Sequence, residues 1–218
     1  MTKTLFISIC IALISTNLQG QDSLKTGRSK ATGGILFGAN MVQFYRANND
    51  IFKFPFKKPV WQWQVGVSVD AINTRRYGLR WELLYNNKGA NETFSDKIST
   101  TIDSKVNLSY LQFNLFPIIY KPLGNRKFNP FLALGGYYSY LVKSKYSSQV
   151  NGTTPFIDDV ASKNTLKQDY GVDLSLGFYF KKVSLEYRIE AGLPKILNQL
   201  ETLSSIKNKT HSIIFTVR

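Results

Sequence analysis

A strict alternation of apolar and polar residues over Trp61–Asn86 constrains the fold of this chain more than any other feature. In WQWQVGVSVDA the tryptophans, valines and alanine alternate with polar or small residues, and YGLRWELLYN repeats the rule after a short turn. Strand side chains point alternately to two faces, whereas a helix would need apolar residues three and four positions apart. The stretch therefore predicts a β-hairpin whose strands, about ten residues long, match a tilted strand that crosses a bilayer.

The same alternation recurs along the chain and predicts eight antiparallel strands. They are expected near Gly33–Phe44, Trp61–Ala71, Tyr77–Asn86, Leu108–Pro122, Asn129–Lys143, Asp169–Phe180, Val183–Gly192 and Thr210–Val217. Four connections are long, at about 45–60, 88–105, 145–165 and 193–206, and the three between them are short. Long loops alternating with short turns are typical of a transmembrane barrel with short periplasmic turns and longer external loops.

The side chains assigned to each face predict which face meets lipid. The outward side chains of the fourth strand are expected to be Leu111, Phe113, Leu115 and Ile119. Those of the fifth strand are expected to be Leu132, Leu134, Tyr138 and Tyr140. Tyr77, Tyr85, Tyr110 and Tyr120 stand near strand ends, where aromatic girdles occur. The glycines Gly38, Gly66, Gly78, Gly171, Gly177 and Gly192 all share the polar parity. Glycine weakens a strand that faces water, but it makes room for large charged side chains inside a narrow barrel, so the polar face is predicted to line the lumen.

Charges of both signs fall on this inward parity and predict a lumen charge network. Its expected members are Asp70, Arg80, Glu82, Asp173, Glu186, Arg188 and Glu190. Buried charges are tolerated only when they are paired and hydrogen-bonded, so carboxylate–guanidinium contacts are expected among Arg80, Glu82, Glu186 and Arg188. The predicted fold is an all-β, eight-stranded antiparallel up-and-down transmembrane β-barrel with a filled polar lumen.

The N-terminal sequence predicts export. Lys3 precedes an apolar run from Leu5 to Ile14, and Gly20 supplies a small residue before the expected cleavage site. This is the pattern of a secretory signal peptide. Residues 1–20 are therefore expected to be a cleaved signal peptide, 21–31 a periplasmic leader and 32–218 the barrel domain.

The chain is strongly basic, with 28 Lys and Arg against 14 Asp and Glu. Loss of Lys3 with the signal leaves 27 − 14 = +13 on the mature chain. Export and the scatter of lysines through the connections argue against nucleic acid as a partner. A basic rim that faces anionic head groups of outer-membrane lipid is the simpler interpretation.

Little in the sequence indicates catalysis. The single histidine, His211, is on the outward parity with Ile213, and its neighbour Ser212 points the other way. A hydrolase needs a nucleophile and a base within hydrogen-bonding reach. The acidic residues are spread over several strands, without the clustered ligands of a metal site. The sequence therefore predicts no enzyme activity, no metal and no cofactor.

Function is expected to reside in the long connections, because the strands and short turns build the barrel. The segment FKFPFKK exposes aromatic rings among lysines and is the likeliest contact site, although a loop that rests on lipid head groups would look the same. Its candidate contact residues are Phe52, Phe54, Phe56, Lys57 and Lys58.

Several strand motifs together resemble a known family. The signal ending Gln19–Gln21 and the segments YLQFNLFPIIYKP, NPFLALGGYYSYL, DYGVDLSLGFYF and VSLEYRIEAGL resemble the PorT-like outer-membrane β-barrel family from about Gly33 onward. The resemblance implies a barrel in the outer membrane of a Gram-negative cell. One member of that family is tied to protein secretion, but strand motifs specify a fold rather than that role.

These observations favour a non-catalytic outer-membrane protein that anchors, binds or scaffolds through four external loops. The expected partners are outer-membrane lipid and an envelope protein, and the barrel is expected to be a monomer. Two alternatives stay open: a secreted soluble barrel that binds an apolar ligand, and a small pore. Eight strands leave no aqueous channel, which disfavours the pore.

Overall fold

The computed structural model describes residues 31–46, 59–73, 76–95, 101–122, 128–151, 156–158, 167–193 and 206–218. These residues form nine strands: β1 Thr32–Arg46, β2 Val60–Asn73, β3 Tyr77–Ser95, β4 Thr101–Tyr120, β5 Phe128–Val150, β6 Phe156–Asp158, β7 Gln168–Phe180, β8 Val183–Gly192 and β9 Ile206–Val217. Within this part of the chain, no helix is long and apolar enough to cross a membrane.

Eight of the strands close into an antiparallel barrel. Each pairs with the next along the chain, β5 pairs with β7, and β9 pairs back with β1 to complete the ring. The three-residue β6 pairs only with β5 and lies outside the ring. The predicted eight-stranded up-and-down barrel is therefore confirmed, with β6 as an addition.

The strand register gives the shear of the barrel. One circuit of paired residues passes through Gly33, Val69, Trp81, Leu115, Gly136, Val172, Ala191, Lys209 and Gln43. The circuit leaves β1 at Gly33 and returns to it at Gln43, so the shear is 43 − 33 = 10 residues. With eight strands, that shear corresponds to a tilt of about 35–45°, as in transmembrane barrels.

Apolar side chains cover the outside of the barrel. Trp61, Leu176 and Ile118 are 65%, 61% and 55% exposed, and the predicted outward faces of the fifth and sixth strands are exposed throughout. Soluble monomers rarely expose such a large apolar surface. Aromatic pairs mark both ends of this belt: Tyr77 with Tyr120, and Trp63 with Tyr85.

One predicted side-chain direction on β4 is wrong. Ile119 is buried, whereas Ile118 faces outward. Tyr110 shares the parity of Gln112 and is buried in the lumen, so it does not belong to the aromatic girdle in which it was also expected. The register shifts between Leu115 and Ile118, where Pro117 lacks the N–H that a regular ladder needs. After this bulge the alternation is shifted by one residue, so that Ile118 and Tyr120 face outward and Ile119 faces the lumen.

Most of the second predicted connection and the first part of the third are strand, so their assignment as loops is corrected there. β3 continues for nine residues past Asn86, the last residue paired with β2, which is about 30 Å of extended chain. β4 begins at Thr101 and β5 continues to Val150. Residues 87–95, 101–109, 143–150 and 156–158 form what we call the outer sheet. Its alternation is weak because it extends past the apolar belt, where neither face meets lipid.

The ends of the barrel differ in the length of their connections. The turn Lys181–Lys182 joins β7 to β8 directly, and Lys181 adopts the left-handed φ of 52° that such tight hairpins require. The first residue of β1, Thr32, and the last residue of β9, Val217, lie at this same end of the barrel. Short turns face the periplasm in bacterial barrels, so the outer sheet projects from the external end.

Candidate functional site: the lumen charge clusters and the external rim

Inward side chains of β2, β3 and β8, together with the residue that follows β9, form a central charge cluster. Its members are Asp70, Arg80, Glu82, Glu186, Arg188 and Arg218. Three carboxylates face three guanidinium groups, so the cluster is formally neutral. Because opposite charges share the barrel centre, the desolvation cost of each ion is offset by short contacts to its neighbours.

Arg80 reaches four side chains from β3. Its Nε lies 3.0 Å from Asp70 Oδ1, and its Nη1 lies 2.7 Å from Glu186 Oε2 and 3.3 Å from Glu82 Oε1. Its Nη2 donates to the hydroxyl of Tyr179. Arg80 therefore joins the β2–β3 hairpin to β7 and β8 on the opposite wall.

Arg188 forms the second centre of the cluster. Its Nη2 donates to Glu186 Oε1 at 2.6 Å and to Glu82 Oε1 at 2.9 Å. Its Nη1 lies 2.8 Å from Glu82 Oε2. Glu82 and Glu186 are thus each shared by both arginines, the arrangement that a charge network requires.

Aromatic rings enclose the arginines, so the lumen is less polar than the sequence predicts. The guanidinium carbon of Arg188 lies 4.7 Å from the ring centre of Phe116, and that of Arg80 lies 5.3 Å from Phe131. Phe116 and Phe131 are buried in an apolar cluster with Ile119 and Ala133. Each ring offers a cation–π contact that replaces part of the lost hydration.

Two lumen glycines make room for these rings. A Cβ atom on Gly177 would lie 2.8 Å from the ring of Phe131, and one on Gly135 would lie 2.7 Å from Phe116. Such a contact is too short for a real Cβ atom. Other inward glycines make room for polar side chains, as Gly38 does for Gln64, so the glycine parity reflects close packing in the lumen in general.

A second group, the upper charge cluster, consists of Lys88, Asp169 and Glu190. Lys88 Nζ lies 3.0 Å from Asp169 Oδ2, 3.6 Å from Glu190 Oε2 and 4.4 Å from the ring centre of Tyr137. Lys88 is fully buried. Burial of a lysine is tolerated here because two carboxylates and an aromatic face surround it.

Amide side chains connect the two clusters. Gln112 Nε2 donates to Glu190 Oε1 at 2.9 Å and to Asn114 Oδ1 at 2.9 Å. Asn114 Nδ2 donates in turn to Glu82 Oε2 at 3.3 Å. A hydrogen-bonded path therefore runs through the lumen from Glu190 to Glu82 and the arginines, and Lys88 joins it through its 3.6 Å ion pair with Glu190.

Asp173 is the predicted network residue that the structure leaves outside these contacts. It is fully buried, and among the described residues neither of its carboxylate oxygens has a hydrogen-bond partner. It stands directly opposite Glu190 in the β7–β8 ladder. The structure thus brings Asp70, Arg80, Glu82, Glu186 and Arg188 together, places Glu190 with Lys88, and leaves Asp173 beside another carboxyl group.

Four contributors were not foreseen from the sequence: Lys88, Asp169, Tyr179 and Arg218. Lys88 falls in a segment read as a connection, although its even parity continues that of Arg80 and Glu82. Tyr179 likewise continues the inward parity of Asp173. Arg218 donates to Asp70 Oδ2 at 2.8 Å and to Ser184 Oγ at 2.8 Å, and no pattern in the sequence marks this contact.

The external rim is basic, whereas most acidic residues with described side chains lie in the lumen beside buried cations. Six acidic residues are buried inside: Asp70, Glu82, Asp169, Asp173, Glu186 and Glu190. Among the acidic residues with described side chains, only Asp103 is exposed. The rim exposes Lys105, Lys143, Lys145, Lys167 and Lys209. The described outer surface above the apolar belt is therefore basic.

The remaining predicted positions add little to a catalytic interpretation. The candidate contact residues Phe52, Phe54, Phe56, Lys57 and Lys58 lie outside the described residues. His211 lies on the outer face, with Nδ1 2.6 Å from the Tyr187 hydroxyl, and Ser212 is buried on the other face. The described part of the chain contains no group of three or more His, Cys, Asp or Glu side chains placed to hold a metal ion.

Comparison with protein families identifies the fold independently. Residues 19–198 match the model of the outer membrane protein beta-barrel domain. The chain belongs to this family. Membership implies an outer-membrane location, in agreement with the apolar belt and the filled lumen. A search of curated proteins gives no significant match.

Solved structures with a similar fold include three outer-membrane proteins. Ail of Yersinia pestis is 11% identical, with 85% of this chain and 96% of Ail covered and a TM-score of 0.36. Neisserial surface protein A is 11% identical, with coverages of 87% and 99% and a TM-score of 0.42. The outer membrane enzyme PagL is 11% identical, with coverages of 84% and 98% and a TM-score of 0.41.

Proposed function

We propose that this outer-membrane barrel is a non-catalytic anchor that carries a binding or scaffolding surface on its external side. The proposal rests on the contrast between the filled lumen and the strands that extend beyond the membrane. The lumen is filled by interlocked charged and aromatic side chains, whereas β3, β4 and β5 extend past the membrane belt as the outer sheet. A barrel without an interior passage acts through the surface that it presents.

The two alternatives fit this arrangement less well. A soluble barrel with an apolar ligand pocket would need an apolar interior, but the interior here holds Arg80, Arg188 and Lys88. A pore would need an open path between Phe116, Phe131 and the arginines, whose ring-to-guanidinium contacts span the lumen.

Planar-bilayer recording tests the anchor against the pore. The refolded protein should insert without stepwise conductance, because the central charge cluster and its rings fill the lumen. Discrete current steps that occur only when the protein is inserted would contradict the proposal and favour a pore.

The finer assignments belong to the same proposal. Residues 1–20 act as a cleaved signal peptide, 21–31 as a periplasmic leader and 32–218 as the barrel, a monomer with a PorT-like sequence. Its partners are anionic lipid head groups and an envelope protein that binds at the external loops. The basic rim and the exposed outer sheet support these partners. N-terminal sequencing of the membrane-extracted protein should begin near Gln21.

The segment 52–58 is the proposed contact site within those loops. Removing it should leave barrel assembly intact and reduce the recovery of a partner after crosslinking of intact cells. A matched deletion at the β3–β4 tip, residues 96–100, controls for loop shortening. Loss of barrel assembly on removal of 52–58 would show a structural role instead.

A further inference from the structure

Three lysines of the outer sheet form a compact group on one face, which we call the lysine patch. Lys105 belongs to β4, and Lys143 and Lys145 belong to β5. In the ladder Lys145 pairs with Asn107 and Lys105 pairs with Ser147. Lys105 and Lys145 are therefore diagonal neighbours, with Cα atoms about 7–8 Å apart. Lys143 lies two residues before Lys145 on the same face of β5.

A bulge aims two of these lysines away from the lumen. Tyr138 and Tyr140 face outward on even positions of β5, but the register shifts between Ser109 and Tyr110 of β4, with Val142 as the extra residue. Beyond Val142 the odd positions face outward, which includes Lys143 and Lys145. Bulges commonly redirect side chains in this way. Without the extra residue, both lysines would point to the interior side.

The patch begins at the height of the lipid head groups and extends outward from there. Val142 continues the exposed apolar belt on β5, and Lys143 follows it directly. Lys145 lies two residues further out, and Lys105 is level with Ser147, four residues beyond Lys143. With a tilt near 45°, Lys105 therefore stands about 9 Å higher than Lys143, and its flexible stem reaches back toward the head-group layer.

The patch carries an excess of positive charge. None of the three lysines forms an ion pair within the described residues. The exposed acid Asp103 lies two residues from Lys105 on the same face of β4 and offsets one of the three charges. Like charges on neighbouring strand positions repel each other, so an anion that bridges them is favoured. Ammonium groups bind phosphate as point charges, and the adjacent Asn107 adds an amide donor.

We propose that the lysine patch binds the phosphate group of a lipid in the outer leaflet. The inference rests on the proposed function, because the membrane belt sets the height of the patch. It goes further because it assigns the binding site to the part of the rim that β4 and β5 form. The rest of the basic rim then contributes only diffuse attraction to the anionic surface.

Native mass spectrometry of the refolded protein in non-ionic detergent, with short-chain phosphatidic acid as the probe, tests the patch. The double variant Lys143→Gln/Lys145→Gln should bind the probe about 25-fold more weakly, since each lysine near an anionic surface contributes about fivefold. The matched control Lys207→Gln/Lys209→Gln removes the same charge from β9, three strands further around the barrel, and should change binding less than threefold.

Each other outcome overturns a defined part of the idea. Equal losses in both double variants would show a diffuse rim, and unchanged binding in both would show that the lysines do not hold the lipid. Equal retention of the matching short-chain diacylglycerol, which lacks the phosphate, would exclude phosphate recognition, and displacement by equimolar inorganic phosphate would indicate a free-anion site.

Folding and membrane placement are checked separately in the same experiment. Heat-modifiable migration on gels shows whether each variant is folded, and Lys105→Gln repeats the test from β4, with an expected loss of about fivefold. Wild-type protein that fails to insert into phosphatidylcholine vesicles would contradict the proposed membrane anchor. Protein that inserts but does not retain phosphatidic acid would overturn the lysine patch alone.

Discussion

Removing the Glu82 carboxylate should destabilise the barrel severely, although Glu82 lies next to a side chain of the lipid-facing surface. Glu82 accepts hydrogen bonds from Arg80, Arg188 and Asn114 and is 1% exposed. In a Glu82→Ala variant three buried guanidinium groups would face two carboxylates. Because the remaining charge has no water to compensate it, the free energy of unfolding should fall sharply.

The size of the effect follows from the contacts. Two charged hydrogen bonds contribute about 1.5–3 kcal/mol each, and breaking a buried ion pair typically costs about 3–5 kcal/mol. We therefore expect Glu82→Ala to lower the free energy of unfolding by about 3–5 kcal/mol. Asp103→Ala, which removes the same charge from the exposed outer sheet, should stay within about 0.5 kcal/mol.

Urea unfolding of protein inserted in phosphatidylcholine vesicles, followed by tryptophan fluorescence, measures the difference. Trp81→Ala serves as a second comparison, because Trp81 faces lipid beside Phe113. Lipid chains fill the vacated space, so its cost should be only about 1.5–3 kcal/mol of lost apolar burial. A Glu82→Ala variant as stable as wild type, together with a Trp81→Ala variant that loses more than 3 kcal/mol, would refute the assignment of inner and outer faces.

Two further substitutions test the lumen by the same unfolding assay. Asp173→Asn removes a buried carboxyl group that faces Glu190 and has no hydrogen bond in the described structure. It should raise the free energy of unfolding by about 0.5–1 kcal/mol. A decrease in the free energy of unfolding of more than 1 kcal/mol would show that the carboxyl group is stabilising. Gly171→Ala should cost about 1–3 kcal/mol, because its Cβ would lie 2.7 Å from the Tyr137 ring, whereas Gly33→Ala, with its nearest contact at 3.9 Å, should be nearly neutral. Equal effects of the two alanines would contradict the close packing.

The membrane-spanning part of the fold could be predicted because lipid imposes a binary pattern. One face of each strand meets hydrocarbon and the other meets the lumen, so alternation over Trp61–Asn86 and Val183–Gly192 identified strands and their faces. The pattern fails where this constraint ends. The outer sheet contacts no hydrocarbon, so its strands resemble polar loops in sequence.

The lumen could be predicted only in part, for geometric reasons. Parity identifies which side chains point inward, but not which of them meet across the barrel. Lys88 and Asp169 are 81 positions apart and come together through the shear and closure of eight strands. The bulges at Pro117 and Val142 each shift the alternation by one residue. A proline inside an apolar run signals the first bulge, but nothing in the sequence around Val142 signals the second.

The seam between β1 and β9 determines the order in which the barrel completes itself. Every other barrel ladder joins strands that are neighbours along the chain, whereas Ile35 pairs with Val217 across 217 − 35 = 182 positions. Hairpins form quickly from local contacts, but closing so long a loop must overcome a much larger loss of chain entropy. Until β9 has been exported, both β1 and β8 present an unpaired edge to other chains. The Arg218–Asp70 contact then joins residue 218 to β2. A peptide tag fused after Arg218 is therefore expected to slow the pairing of β9 with β1, whereas a tag inserted between β3 and β4 is not.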